Sequence, residues 1–302
     1  MHRPNNARSL RSIFCTVGVA LLALVASPSR GHAGSTLTMW AETTINISGN
    51  SHVFCGWAHT NGSGDVKGSG TSMTGPFEYV SSFKSSNRVG ITPVQVAPTA
   101  MPLTPHNVAY YRSLAQAQGT YHAGSFTISQ TGGTLSGVLF AEGDLQISGS
   151  SITGAVTLVS ATGSVTLNGS NNTLSAGADG VLVFSATRDV TVSSTTCTYS
   201  GGMYSPASSF NRSKSDDSEI SGPIIANVIS WSGGSNHVGG QCCSTTTNCS
   251  DTNACTTDTC NLGACDHVAI PGCVTCSTAA ECNDNNACTT EACVGGRCQS
   301  NA

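Results

Sequence analysis

One short phrase recurs along the first two-thirds of this chain: INISG from Ile45, FTISQ from Phe126, LQISG from Leu145, VTLNG from Val165 and VTVSS from Val190. The last four begin 19, 20 and 25 residues apart. Within each phrase apolar and polar positions alternate, which is the period of a strand. Phe126/Ile128, Leu145/Ile147, Val165/Leu167 and Val190/Val192 are therefore expected to face inward. Thr127, Ser129, Gln146, Ser148, Thr166, Asn168, Thr191 and Ser193 are expected outward, where they form a candidate binding face.

A second apolar run follows most phrases, as in LSGVLFA from Leu135, ITGAVTLV from Ile152 and GVLVFSA from Gly180, with Gly, Ser and Asn turns between. Two or three short strands per unit of about 20 residues make one coil of a parallel β-helix, whose strands bond to equivalent strands one rung away at about 4.8 Å. The sequence thus predicts an all-β fold, a right-handed parallel β-helix over residues 34–231. Charged residues are only 9% of the chain, which suits stacking, because like charges on successive rungs repel. A disordered Ser/Gly spacer would combine low hydrophobicity with high net charge. A β-sandwich is the competing architecture, since it also uses closely spaced strands and turns.

The repeat is interrupted over 84–122, where a proline-bearing stretch leads into HNVAYYRSLAQAQG. Val108, Tyr111, Leu114 and Ala115 share one helical face, which predicts a helix over about 106–118. Thr104 is the expected N-cap, Pro105 suits the first turn and Gly119 can end the helix. The polar stretch 204–219 is expected to be a loop, ISGPIIANVIS from Ile220 a last coil, and the Gly/Ser-rich 232–241 a linker.

Arg3, Arg8 and Arg11 precede an apolar run from Ile13 to Ala26, then Ser27, Pro28 and small residues to Ala33, the pattern of a secretory signal peptide over 1–33. The run is shorter than the roughly 20 residues of a membrane span, and no later stretch reaches its length. An exported chain is expected, at the cell surface, extracellular or periplasmic, without a transmembrane segment after signal cleavage. Without the leader's four arginines the balance is 8 basic against 16 acidic residues, which disfavours a nucleic-acid partner.

Residues 242–302 repeat with a period of 33: Cys243, Cys249, Cys255, Cys260 and Cys265 match Cys276, Cys282, Cys288, Cys293 and Cys298. The match is a tandem module, its second unit incomplete because the counterpart of Cys273 would fall past residue 302. Units this small need covalent staples, so disulfides are expected rather than zinc. Cys242 would complete the module's set and leave Cys55 and Cys197 for each other, although spacing alone does not set connectivity. Asp251, Asn253 and Asp258, with Asp284, Asn286 and Glu291, are oxygen ligands of the type calcium takes. The competing role for acids and amides before cysteine is the Asx turn. No other cofactor is expected.

The run AEGDLQISGSSITGAVTL from Ala141 resembles the β-helical core of the bactofilins, and more closely that of exported bacterial surface or pilus-associated proteins, where "EGD-x-x-ISG" and "GSNNT" phrases recur. The resemblance covers roughly 120–195. It implies a β-helix and, by analogy with bactofilins, homopolymerisation through the column ends. The cysteine units resemble short repeats of secreted surface proteins.

Catalysis on polysaccharides, common among β-helices, needs clustered acids with a base or a carboxylate pair. The candidates are Asp216, Asp217 and Glu219, Glu142 and Asp144, and Arg188 with Asp189; solvated loop or corner positions explain them equally. His52 and His59 flank Cys55 and Trp57 and are expected at the surface or in turns rather than on a metal. The sequence therefore points to a non-enzymatic exported scaffold or adhesion platform, with a surface glycan or another surface protein as partner. The alternatives are a carbohydrate- or ice-binding module and a polysaccharide lyase or hydrolase of β-helix type.

Overall fold

A short strand with one apolar face cannot fold alone, and over residues 37–238 the described strands pair in parallel with their counterparts on adjacent rungs. A computed structural model describes residues 37–86, 90–101, 105–215, 218–234, 236–239, 249–250, 253–261, 264–270, 273–283 and 290–301. It is a parallel β-helix of about ten turns with one helix and a disulfide-bonded C-terminal region. The expected leader lies outside the described residues, as do Thr104, Asp216 and Asp217.

The rungs do not follow chain order. Leu37–Ile47 lies in the middle of the stack, between Ile224–Gly234 on one side and Trp57–Thr60 with Ser63–Val66 on the other. From there the chain winds outward through Ser72–Tyr79 and Ser82–Ser85 to an edge strand, Gly90–Gln95. It then passes to the opposite end and restarts at Tyr121–His122 and Phe126–Ile128. Successive coils wind back until Ile224–Gly234 and His237–Val238 close on the first coil, Met39 opposite Ile224 and Val53 opposite His237.

Leu145, Ile147, Val165, Leu167, Val190 and Val192 are all buried in the inner column, as their alternation predicts. Each such side chain contributes about 1.5–3 kcal/mol of transfer free energy. One corner repeats the left-handed conformation at Ser51, Ser151, Asn171 and Thr196; Asn adopts it readily, whereas a β-branched Thr does so only where the surrounding coils impose it. The residue after each, His52, Ile152, Asn172 and Cys197, turns inward and is buried. Asn172 satisfies itself there, accepting from Ile152 N at 2.8 Å and donating to Gly149 O at 3.0 Å. The corners approach so closely that a Cβ on Gly169 would lie 1.7 Å from Gly149 O.

Three expectations change. The stretch expected as a loop contains a strand, Gly202–Ser215, paired with Ile224–Gly234. Its polarity hides a buried pattern, because the inward position after Phe210 and Asn211 is Arg212. That guanidinium donates to Asn236 Oδ1 at 2.8 and 3.1 Å and to Ser194 O at 2.8 Å inside the column, and a buried charge needs such partners. The expected linker is largely coil, since Ile224–Gly234 runs through Ser232 and His237–Val238 forms a rung. The interruption is also shorter than 84–122, because Gly90–Gln95 and Tyr121–His122 belong to the sheet.

The helix spans Val108–Gln118, and Asn107 caps it by accepting from Tyr110 N. Gly119, at φ 73°, ends it. It covers an outward column unlike the others: Phe140, Val159, Phe184, Tyr204, Ile225 and Trp40 follow one another rung by rung. Tyr111 and Ala115 pack on this column. Tyr111 donates to Asp179 at 2.7 Å, and Arg112 grips Glu142 through two bonds at 2.6 and 2.8 Å.

In the C-terminal region two antiparallel hairpins, Thr256–Asn261 with Ala264–Ala269 and Thr290–Val294 with Arg297–Asn301, repeat the same plan. Cys249–Cys265 and Cys282–Cys298 are equivalent bridges one repeat apart; Cys255–Cys273 is a second bridge within the first repeat and Cys276–Cys293 one within the second. Cys242, Cys243, Cys288 and the side chain of Cys260 lie outside the described residues. Cys55 is disulfide-bonded but not to Cys197, which is a buried free thiol. The corner positions Cys197, Ser218, Asn236 and His52 occupy successive rungs. Cys197 therefore stands three rungs, about 14 Å, from the rung that Cys55 ends, beyond the roughly 7 Å limit for a disulfide.

Ile147→Asp is expected to cost at least about 4 kcal/mol by placing an unpaired charge in the column, whereas Ile147→Val should cost about 1 kcal/mol; chemical denaturation midpoints measure both. The Arg112 guanidinium beside Glu142 holds that carboxyl below its usual range. Its contribution to helix docking is thus complete above about pH 4.3 and is lost as pH falls through the lowered folded value. Hydrogen exchange of the helix during acid titration should show this release in the native chain and no such step in Glu142→Gln.

Candidate functional site

With one side of the column covered by the helix and the segment leading to it, the two remaining sides present polar residues to solvent. The first carries the middle positions of the recurring phrase in one line: Thr127, Gln146, Thr166, Thr191, Asn211, Ser230, Asn46, Asp65 and Lys84. Ser129, Ser148, Asn168 and Ser193 each lie just past the end of their strand. Thr127, Ser129 and Asn168 are exposed, while Gln146, Ser148, Thr166, Thr191 and Ser193 are half-buried between neighbouring rungs.

The second open side was missed by sequence reasoning and is the more regular. Thr134, Thr153, Thr173 and Thr198 stand directly opposite one another on four consecutive rungs. A parallel line of Ser136, Ala155, Ser175 and Ser200 accompanies them in the same register, and all eight are exposed. The lines are about 6.7 Å apart along the strand and the rungs about 4.8 Å apart, so the hydroxyls form a nearly rectangular grid. The 3.4 Å contact between Thr134 and Thr153 Oγ1 links two of them. Glu219 and His237 continue the threonine line and end its uncharged part. The signal was available: these Thr-x-Ser or Thr-x-Ala triplets begin 19, 20 and 25 residues apart, in step with the recurring phrase.

A cavity of about 570 Å³ opens at the end coil, lined by Thr127, Ser129, Thr134 and Ser136 together with Phe126, Ile128 and Leu135 among others. A second, more polar recess of about 430 Å³ contains Asp144 and Arg188.

Three of the acids considered for catalysis, Glu142, Asp144 and Asp189, hold the scaffold. Glu142 is bound to Arg112 and accepts from Tyr121 at 3.1 Å. Asp144 accepts from Ser164 N at 2.8 Å and Asp189 from Ser209 N at 3.0 Å, each fastening the next rung at the same corner. Of the calcium candidates, Asn253 accepts from Cys255 N at 3.0 Å, an Asx turn, and Asp258 lies in the first hairpin strand. Asp251, Asp284, Asn286 and the side chain of Glu291 lie outside the described residues. The sulfurs of Cys276, Cys282 and Cys298 cluster within 4.8 Å, but each is in a disulfide and is not the thiolate a metal takes.

Both histidines are fully buried rather than at the surface. Alternation holds only within a strand, and the corners at Ser51 and Gly56 reset it. His52 turns into the column beside Phe54 and Trp231, with Nε2 on Ser48 O at 3.1 Å. His59 lies on the covered side, between Trp40 and the segment that precedes the helix.

Comparison of the chain with models of known protein families, with curated proteins and with solved structures found no match. The disulfides indicate folding in an oxidising environment. Among the described residues no helix is long and apolar enough to cross a membrane.

Burial pushes the His52 pKa below its usual value. The unfolded chain therefore takes up the proton first, and the stability that His52 confers is complete above about pH 6.5 and declines as pH falls towards the lowered folded value. Urea midpoints between pH 8 and pH 5 should fall in the native chain and fall less in His52→Gln.

Proposed function

We propose that this is an exported, non-enzymatic surface protein whose β-helix is a rigid binding platform, with the cysteine-rich repeats as an appended module. The observation that carries this reading is the exposed grid built on Thr134, Thr153, Thr173 and Thr198. Its hydroxyls are fixed by the backbone ladder, so little ordering entropy remains to be lost on binding. A grid with one period fits an extended ligand that itself repeats, and a surface glycan is the first such ligand. The reading is supported by the structural roles of Glu142, Asp144 and Asp189, which leave those carboxylates engaged with the scaffold.

A second ligand, ice, is favoured by one feature: the eight grid positions carry methyl and hydroxyl groups and no aromatic ring, whereas sugar sites commonly use aromatic faces. Binding to a glycan array and to insoluble polysaccharides, beside an ice-recrystallisation assay, separates the two. Replacing Thr153 and Thr173 by Tyr is expected to weaken the retained ligand at least about tenfold, roughly 1.4 kcal/mol, at unchanged melting temperature, while Thr166→Tyr on the other open side leaves it intact. Blank results for both ligands would sink the platform reading. Polysaccharide cleavage that disappears in Asp144→Asn would replace it with an enzyme.

A further inference from the structure

The covered side of the column contains a group of buried polar residues that the binding grid does not use. His59 and Glu78 occupy adjacent rungs of the line that begins with Phe140 and passes through Trp40. His59 is fully buried and Glu78 nearly so. Glu78 Oε2 lies 3.0 Å from His59 Nδ1. On the other edge of the ring, Nε2 lies 3.0 Å from Thr99 Oγ1 and 2.9 Å from Asn61 Oδ1.

Thr99 belongs to the extended segment that leaves the edge strand for the helix, and Asn61 fastens it. The amide Nδ2 donates to Thr99 O at 2.8 Å, and Oδ1 accepts from Thr99 N at 2.8 Å. Nδ2 also donates to Glu42 Oε2 at 3.1 Å. A hydroxyl, an imidazole backed by a carboxylate, and a carboxamide whose oxygen already receives a backbone N–H are thus held together. These are the parts of an acyl-transfer site, with the acyl group supplied by the protein itself.

We propose that Thr99 and Asn61 form an intramolecular ester that locks this segment onto the column. With Nδ1–H donated to Glu78, neutral His59 takes the proton of Thr99 Oγ1 at Nε2 as that oxygen adds to Asn61 Cγ, and the Nε2–H so formed is the donor that the 2.9 Å contact with Asn61 Oδ1 requires, since two acceptors do not bond. The negative charge that develops on Oδ1 is met by Thr99 N–H. Collapse of the adduct breaks the Cγ–Nδ2 bond, and Nδ2 leaves as ammonia with the proton carried by His59. One C–O bond replaces one C–N bond, without oxidant or external reactant. The hydrogen bonds that hold Thr99 to Asn61 and His59 make the reaction intramolecular, and loss of ammonia to solvent draws it forward. His59 is the catalytic residue and Glu78 its positioning residue.

The test is the mass of the secreted chain, reduced and alkylated. The expected mass is lower than the sequence by one ammonia. Trypsin cuts after Lys67, Lys84 and Arg88, so the Asn61 peptide and the Thr99 peptide should stay joined and should separate in hydroxylamine. A full mass overturns the proposal. So does the loss of one ammonia with the two peptides separate, which would mean a succinimide at Asn61-Gly62. Thr99→Val and His59→Gln should fold and keep the full mass. Glu78→Gln should fold but cross-link at least tenfold more slowly after refolding, with an altered pH profile of the rate; an unchanged rate would remove Glu78 from the mechanism.

Discussion

The rest of this structure depends on one distance, the spacing between hydrogen-bonded parallel strands. Because every coil must meet its neighbours at about 4.8 Å, each position in a coil becomes a column, and what stands in a column must tolerate its own kind above and below. Aliphatics do so inside, where Leu145, Val165 and Val190 succeed one another. Small polar residues do so at the corner, where Ser51, Ser151, Asn171 and Thr196 share a left-handed backbone. Charges do not, which accounts for a chain with only 9% charged residues. Where a charge does enter, as Arg212 does, carbonyls and Asn236 surround it.

The same constraint separates the sides of the column by use. One side is apolar outward and is covered by the helix and the segment leading to it. The other two carry hydroxyls and amides held by backbone ladders, and the more exposed is an uncharged Thr/Ser grid. Rigidity and periodicity come from the fold, and only the chemistry of the outward atoms is left for a ligand to recognise. The acids fit this division, since Asp144 and Asp189 fasten rungs and Glu142 fastens the helix.

The segment between the two halves of the column bears a burden that no coil does. It carries the chain from one end of the stack towards the other, and among its described residues those between Val96 and Thr120 belong to no rung. Its fixings are therefore side chains: Asn61 and His59 at Thr99, Asp179 at Tyr111 and Glu142 at Arg112. A covalent bond at the first of these would turn a hydrogen-bonded strap into a permanent one.

The β-helix, the inward residues of each phrase, the helix with its Gly119 terminus and the tandem cysteine units were all legible in the sequence, because each rests on local periodicity. Alternation identifies a strand's buried face, and a period of 33 identifies a repeated module. What was not legible depends on which rung lies beside which. The strand Gly202–Ser215 read as a loop because its inward arginine finds partners, Asn236 and carbonyls among them, on other rungs. The Cys55–Cys197 pairing failed because the two cysteines belong to rungs too far apart. The Thr grid was present as triplets in step with the repeat, but only the register brings Thr134, Thr153, Thr173 and Thr198 into one line. The order of coils was decided by tertiary structure alone. Equivalent parallel strands offer the same hydrogen bonds to any neighbour, so the sequence by itself determined that coils would stack, and only the folded column decided that the last would close on the first.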